Sequence, residues 1–126
     1  MSIYACLRYR DCPAAIDFLC DAFGFDRVVV YEDAGVVHHA ELRLGDSMVM
    51  LGSERDDDQP NRVGLGWTYV GIDGTDALFE RAKAAAAEVV REPFETDYGS
   101  RDFSVRDPEG NLWSFGTYDP VRTAGA

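Results

Sequence analysis

Basic residues are scarce in this chain. Its 12 Lys and Arg stand against 23 Asp and Glu, a net charge of −11. So acidic a surface repels phosphate backbones, which argues against a nucleic-acid partner and favours a cationic guest. Long apolar runs are missing as well: none approaches the roughly 18 residues of a membrane span, so no membrane partner is expected. Met1-Ser2-Ile3-Tyr4 lacks a basic stretch leading into an apolar one, which points to a cytoplasmic protein. Cysteine is limited to Cys6, Cys12 and Cys20, an odd number with no C-x-x-C pair. That argues against a disulfide framework and a structural zinc site, and leaves buried structural thiols as the expectation. G-x-S-x-G, P-loop and G-x-G-x-x-G motifs are absent, so hydrolase, nucleotide and nicotinamide chemistry have no support.

What is present is enough for one packed domain. The 126 residues are 46% hydrophobic, which allows a core without metal or disulfide staples. Residues 3–9 are β-prone. Asp11-Cys12-Pro13 then reads as an N-cap with proline in the first turn. Ala14, Ala15, Phe18, Leu19, Ala22 and Phe23 recur at helical spacing until Gly24 stops them, which predicts a helix over Pro13–Phe23. Strands follow at 27–32, 36–44 and 47–51, with turns at Asp33-Ala34-Gly35 and Gly45-Asp46. This half, residues 1–52, is β-α-β-β-β.

Residues 53–66 are polar, with an aspartate run, Pro60 and glycines, and read as an exposed linker. The plan then repeats over 67–118. A strand spans 67–72, Thr75 caps a helix over Asp76–Ala87, and a short strand spans 88–91. A loop covers 93–100, and strands at 101–106 and 112–117 flank the turn Asp107-Pro108-Glu109-Gly110-Asn111. The tail, 119–126, is expected to fray.

Leu7-Arg8-Tyr9-Arg10-Asp11 with Ala14 to Leu19, and Tyr98 to Trp113 with its D-P-E-G-N turn, resemble the glyoxalase/bleomycin-resistance/dioxygenase family of the vicinal-oxygen-chelate superfamily. His39-Ala40-Glu41-Leu42, Gly45-Asp46 and Met50-Leu51 are similar to its PhnB-like subgroup. The resemblance covers nearly the whole chain and implies a single α+β domain of two βαβββ modules forming a cup-shaped mixed sheet. It further implies a homodimer. Family enzymes hold a divalent metal in the cup with His, Gln and Glu ligands. The matching positions here are Tyr4, Met50, Trp67 and Ser114, which suit such an ion poorly, so neither metal nor cofactor is expected.

By strand alternation and this analogy, Tyr4, Met48, Met50, Trp67, Tyr69 and Ser114 line the cup and bind a ligand by dispersion and stacking. A competing reading fills the cup with the same side chains as core. Arg101 either binds a ligand carboxylate or pins its loop to Asp102 or Asp107. His39 and Glu41 share a strand face and are the candidate acid–base pair, or two of three metal ligands; alternatively Glu41 pairs with Arg43 or Arg8. The expected function is sequestration of an aromatic or cationic small molecule in the manner of a resistance protein. The alternative is a glyoxalase-like lyase, isomerase or dioxygenase working through His39 and Glu41.

Overall fold

A computed structural model describes residues 2–56, 63–64 and 66–120. The aspartates at 57 and 58, half of the expected linker and the tail from 121 lie outside the described residues. The elements are β1 (Ala5–Tyr9), α1 (Cys12–Phe23), β2 (Asp26–Asp33), β3 (Val36–Leu44), β4 (Ser47–Ser53), β5 (Trp67–Gly71), α2 (Thr75–Ala84), β6 (Glu88–Glu95), β7 (Arg101–Arg106) and β8 (Leu112–Gly116). They form two mixed four-stranded sheets, ordered β1-β4-β3-β2 and β5-β8-β7-β6. In each sheet one parallel pair, β1 with β4 or β5 with β8, joins an antiparallel meander. The fold is therefore the α+β arrangement of two βαβββ modules. No described helix is long and apolar enough to cross a membrane.

Local chemistry explains most of the boundaries. The Asp11 carboxylate accepts from the Ala14 amide, and Gly24 ends α1 at φ 82°, a conformation glycine adopts without a Cβ penalty. Ala34 and Gly35 both have positive φ and make the two-residue turn between β2 and β3.

Three expectations for the second module are corrected. Thr75 does not cap α2. Gly74 occupies the cap without a side-chain bond, because the Thr75 hydroxyl donates to the Arg101 carbonyl instead. The helix also stops at Ala84 rather than Ala87, since Ala86 turns into positive φ. Beyond it, β6 runs through Pro93 to Glu95, where a loop was expected. The register with β7 shifts between Arg91 and Phe94, and a proline without an N–H is tolerated in such an edge strand.

The modules join through the helix-covered sides of their sheets. Phe23 packs on Trp113 and Phe115 with ring centroids 5.4 and 4.8 Å away, and Phe25 meets Trp113 at 5.8 Å. Module two also grips both ends of α1. The Glu109 carboxylate accepts from the Arg10 and Asp11 amides at 2.5 and 2.7 Å. Arg81 donates to the carbonyls of Asp21 and Cys20 at 3.0 and 3.2 Å. These contacts complement the unsatisfied amides and carbonyls of helix ends. Between the modules lies a buried carboxylate. Asp107 accepts from Tyr9 Oη at 2.6 Å and from Trp113 Nε1 at 3.1 Å.

Candidate functional site

With the helices covering one side, each sheet presents its other face outward. On the first sheet Ala40, Leu42, Val49 and Leu51 are buried against the helix layer, while His39, Glu41, Met48 and Met50 are only partly covered. A bulge sets this alternation. Tyr31 pairs with His39 and Glu32 with Val37, leaving His38 as the extra, exposed residue. The Val37 amide is held by Ser53 Oγ at 2.8 Å. The bulge places His39 and Glu41 together on the open face, with Glu41 in register with Met50.

His39 Nε2 lies 2.9 Å from Glu41 Oε2, and the Tyr31 ring stacks on the imidazole with centroids 6.4 Å apart. Glu41 therefore pairs with His39, not with Arg43 or Arg8 as one sequence reading had it. Among the described residues no group of three or more His, Cys, Asp or Glu is placed to hold a metal ion.

On the second sheet the open face carries Trp67 and Tyr69 of β5 beside Ser114 of β8. Trp67 Nε1 donates to Ser114 Oγ at 2.9 Å, and Ser114 Oγ shares a 2.7 Å hydrogen bond with Ser104 Oγ. The indole is 73% exposed, so it covers a polar floor without being core. The resemblance aligns the family's metal ligands with Tyr4, Met50, Trp67 and Ser114, and these side chains suit a divalent ion poorly. Trp67 offers no lone pair, the Ser114 hydroxyl is committed to two neighbours, and Met50 is a soft thioether. Tyr4 precedes β1 and is half exposed.

A seam runs between the two modules, lined by the β3–β4 turn of the first and by β5 and the residues after it in the second. A cleft of about 490 Å³ opens there, with Phe25, Leu44 and Met48 from module one facing Tyr69, Val70 and Ile72 from module two. Asp46 and Asp73 lie on its rim, and the described lining residues include no Lys or Arg. A second open hollow of about 740 Å³ continues past Tyr69 to Tyr118. Of the expected ligand-binding residues, the seam cleft joins Met48 and Tyr69. Trp67 and Ser114 meet on one sheet, Met50 lies on the other, and Tyr4 stands alone.

Arg101 is not part of this arrangement. Its guanidinium is taken up by Asp76 at 2.8 Å and Glu95 at 3.2 Å, rather than by the expected Asp102 or Asp107. Asp102, expected only as a partner for Arg101, instead accepts from Tyr69 Oη at 3.1 Å and Ser100 Oγ at 3.0 Å. The sequence signal for this was faint: Asp102 and Gly116 are opposite each other on the face that carries Tyr69. Gly116 has a stated reason to be glycine, because a Cβ there would overlap both Asp102 Oδ1 and Tyr69 Oη. Burial raises the Tyr69 phenol to a pKa of about 12; the Tyr118 amide works against it, and the neighbouring Asp102 charge adds a smaller rise.

The Glyoxalase/Bleomycin resistance protein/Dioxygenase superfamily model matches residues 3–115. The chain belongs to this superfamily. An uncharacterized protein of Mycobacterium bovis, Mb0911c, is 38% identical over 125 residues, covering 89% of this chain and 78% of that relative. Among solved structures, TioX from Micromonospora sp. ML1 superimposes with a TM-score of 0.78 at 29% identity, over 91% of this chain and 98% of that one. A lactoylglutathione lyase from Agrobacterium tumefaciens gives 0.70 at 24% identity, over 92% of each chain, a likeness of fold alone.

Proposed function

We propose that this superfamily member binds and sequesters a flat, positively charged small molecule without transforming it. The observation that carries the reading is the seam cleft, with Phe25, Met48 and Tyr69 as walls and Asp46 and Asp73 at the rim. Such walls hold an aromatic body by dispersion and stacking, and the carboxylates favour a cation. The exposed Trp67 extends the aromatic surface. The net charge of −11 raises the local concentration of cations. The test is calorimetric and fluorescence titration with a panel of flat cationic and neutral aromatics, with Trp67→Phe separating the exposed indole from buried Trp113. Binding of cations in preference to neutral isosteres is expected. A panel that neither releases heat nor perturbs emission overturns the reading.

The enzymatic alternative has one observation in its favour, the 2.9 Å His39–Glu41 pair on an open face. Turnover of a hemithioacetal or catechol that is abolished by both His39→Gln and Glu41→Gln would replace the binding reading.

The active particle, in this proposal, is a cytoplasmic homodimer. Tyr31, Trp67 and Tyr4 are 61%, 73% and 50% exposed, and exposed aromatic side chains are surface that association would cover. Light scattering is expected to give twice the 14.0 kDa chain mass; a particle of the chain mass at tens of micromolar, roughly where modest interfaces form, counts against it.

A further inference from the structure

Resting on that binding reading, we propose that Tyr69, oriented by Asp102, is the specificity-determining hydrogen-bond acceptor of the cleft, and that the guest's cationic centre is a protonated nitrogen that donates to it. Tyr69 lines both the seam cleft and the adjoining hollow. Its hydroxyl has two neighbours of fixed character. Asp102 Oδ1, 3.1 Å away, can only accept from it while ionised, and the Tyr118 amide, also 3.1 Å away, can only donate to it. The phenol proton is therefore committed to Asp102. One lone pair is committed to Tyr118, and one lone pair remains.

A group so arranged discriminates by polarity. It accepts from N–H donors and has no proton to offer an acceptor. The carboxylate behind it strengthens the acceptor by drawing on its proton. Asp102 is 7% exposed, and its hydrogen-bond partners, Ser100 and Tyr69, are neutral. Its negative charge thus reaches the cleft through the phenol. Gly116 leaves the space in which the two side chains meet. The raised phenol pKa of about 12 keeps the proton in place at neutral pH. Asp102 acts through Tyr69 and is a positioning residue; Tyr69 is the group that touches the guest.

The test compares two probes of one shape in the full-length protein. 9-Aminoacridine is protonated and donates hydrogen bonds, whereas acridine at slightly alkaline pH is neutral and offers only a ring-nitrogen lone pair. Wild type is expected to favour 9-aminoacridine. Tyr69→Phe keeps the stacking ring and removes the acceptor. It should lower that preference about tenfold, about 1.4 kcal/mol, and leave acridine binding nearly unchanged. Asp102→Asn should lower the preference as well, with Tyr69 still present. A preference unchanged in Tyr69→Phe overturns the proposal while the binding reading stands; equal wild-type affinity for the two probes overturns the proposal together with the cation preference of that reading. Wild type that binds neither probe overturns both. Tyr69→Phe decides the matter even where Asp102→Asn fails to fold, and its melting curve separates lost recognition from lost structure.

Discussion

Replacing Asp107 should loosen the two modules from each other. Its carboxylate is 4% exposed. One oxygen accepts from the amides of Glu109 and Asn111 at 3.0 and 3.1 Å, closing the turn before β8. The other accepts from Tyr9 Oη and Trp113 Nε1, and both of these rings are fully buried. In Asp107→Ala the two ring donors lose their partner in a site water does not reach. A stranded buried donor costs about 1–3 kcal/mol, so the pair costs about 4 kcal/mol. That is a large part of the roughly 5–15 kcal/mol that holds a domain together, and it should lower the melting temperature by roughly 15 °C. Asp107→Asn is the sharper variant. Its amide fills the same volume, but its one oxygen can face either the turn amides or the two rings. It should cost about 2 kcal/mol, and less in a Tyr9→Phe background, where one donor has already gone. Urea unfolding followed by circular dichroism measures all four proteins of the cycle. If Asp107→Asn falls within about 0.5 kcal/mol of wild type, as an ordinary surface change does, the carboxylate is not the joint described.

Gly116→Ala should cost about 1–3 kcal/mol from overpacking and break the Tyr69–Asp102 bond, because the new methyl group overlaps both side chains; denaturant unfolding and the acridine pair read the two effects separately. Alkaline stability should fall early. Burial, then nearby carboxylates, raise the Cys12 thiol from 9.0 to about 12, and burial, then Asp107, raise the Tyr9 phenol well above 10.0. The folded protein keeps protons that the unfolded chain releases, so stability is whole below about pH 9 and declines as pH rises through the folded values. Tyr9→Phe should flatten the part of that decline above about pH 10, and a pH series of urea midpoints in which it does not would show that Tyr9 is not the group involved. Asp11→Ala should cost about 1 kcal/mol by uncapping α1, with thermal melting as the measurement.

Local rules in the sequence already determined much of this protein. Asp11, Pro13 and Gly24 mark the ends of α1 because capping and left-handed turns depend on residues a few positions apart. Val28-Val29-Val30 and the Ala34-Gly35 turn mark a hairpin for the same reason. The repeated βαβββ order was likewise legible along the chain. Tertiary structure decided what those residues touch. Thr75 gave up its capping role once the Arg101 carbonyl came within reach of its hydroxyl. Arg101 found Asp76 and Glu95, which lie on other elements, instead of its neighbour Asp102. Asp102 was then left to Tyr69, 33 residues away in the chain. Strand alternation says which face a side chain takes, but partners on separate elements are chosen by how helices and sheets pack. That packing also made the seam the place where Met48 and Tyr69 share one cleft.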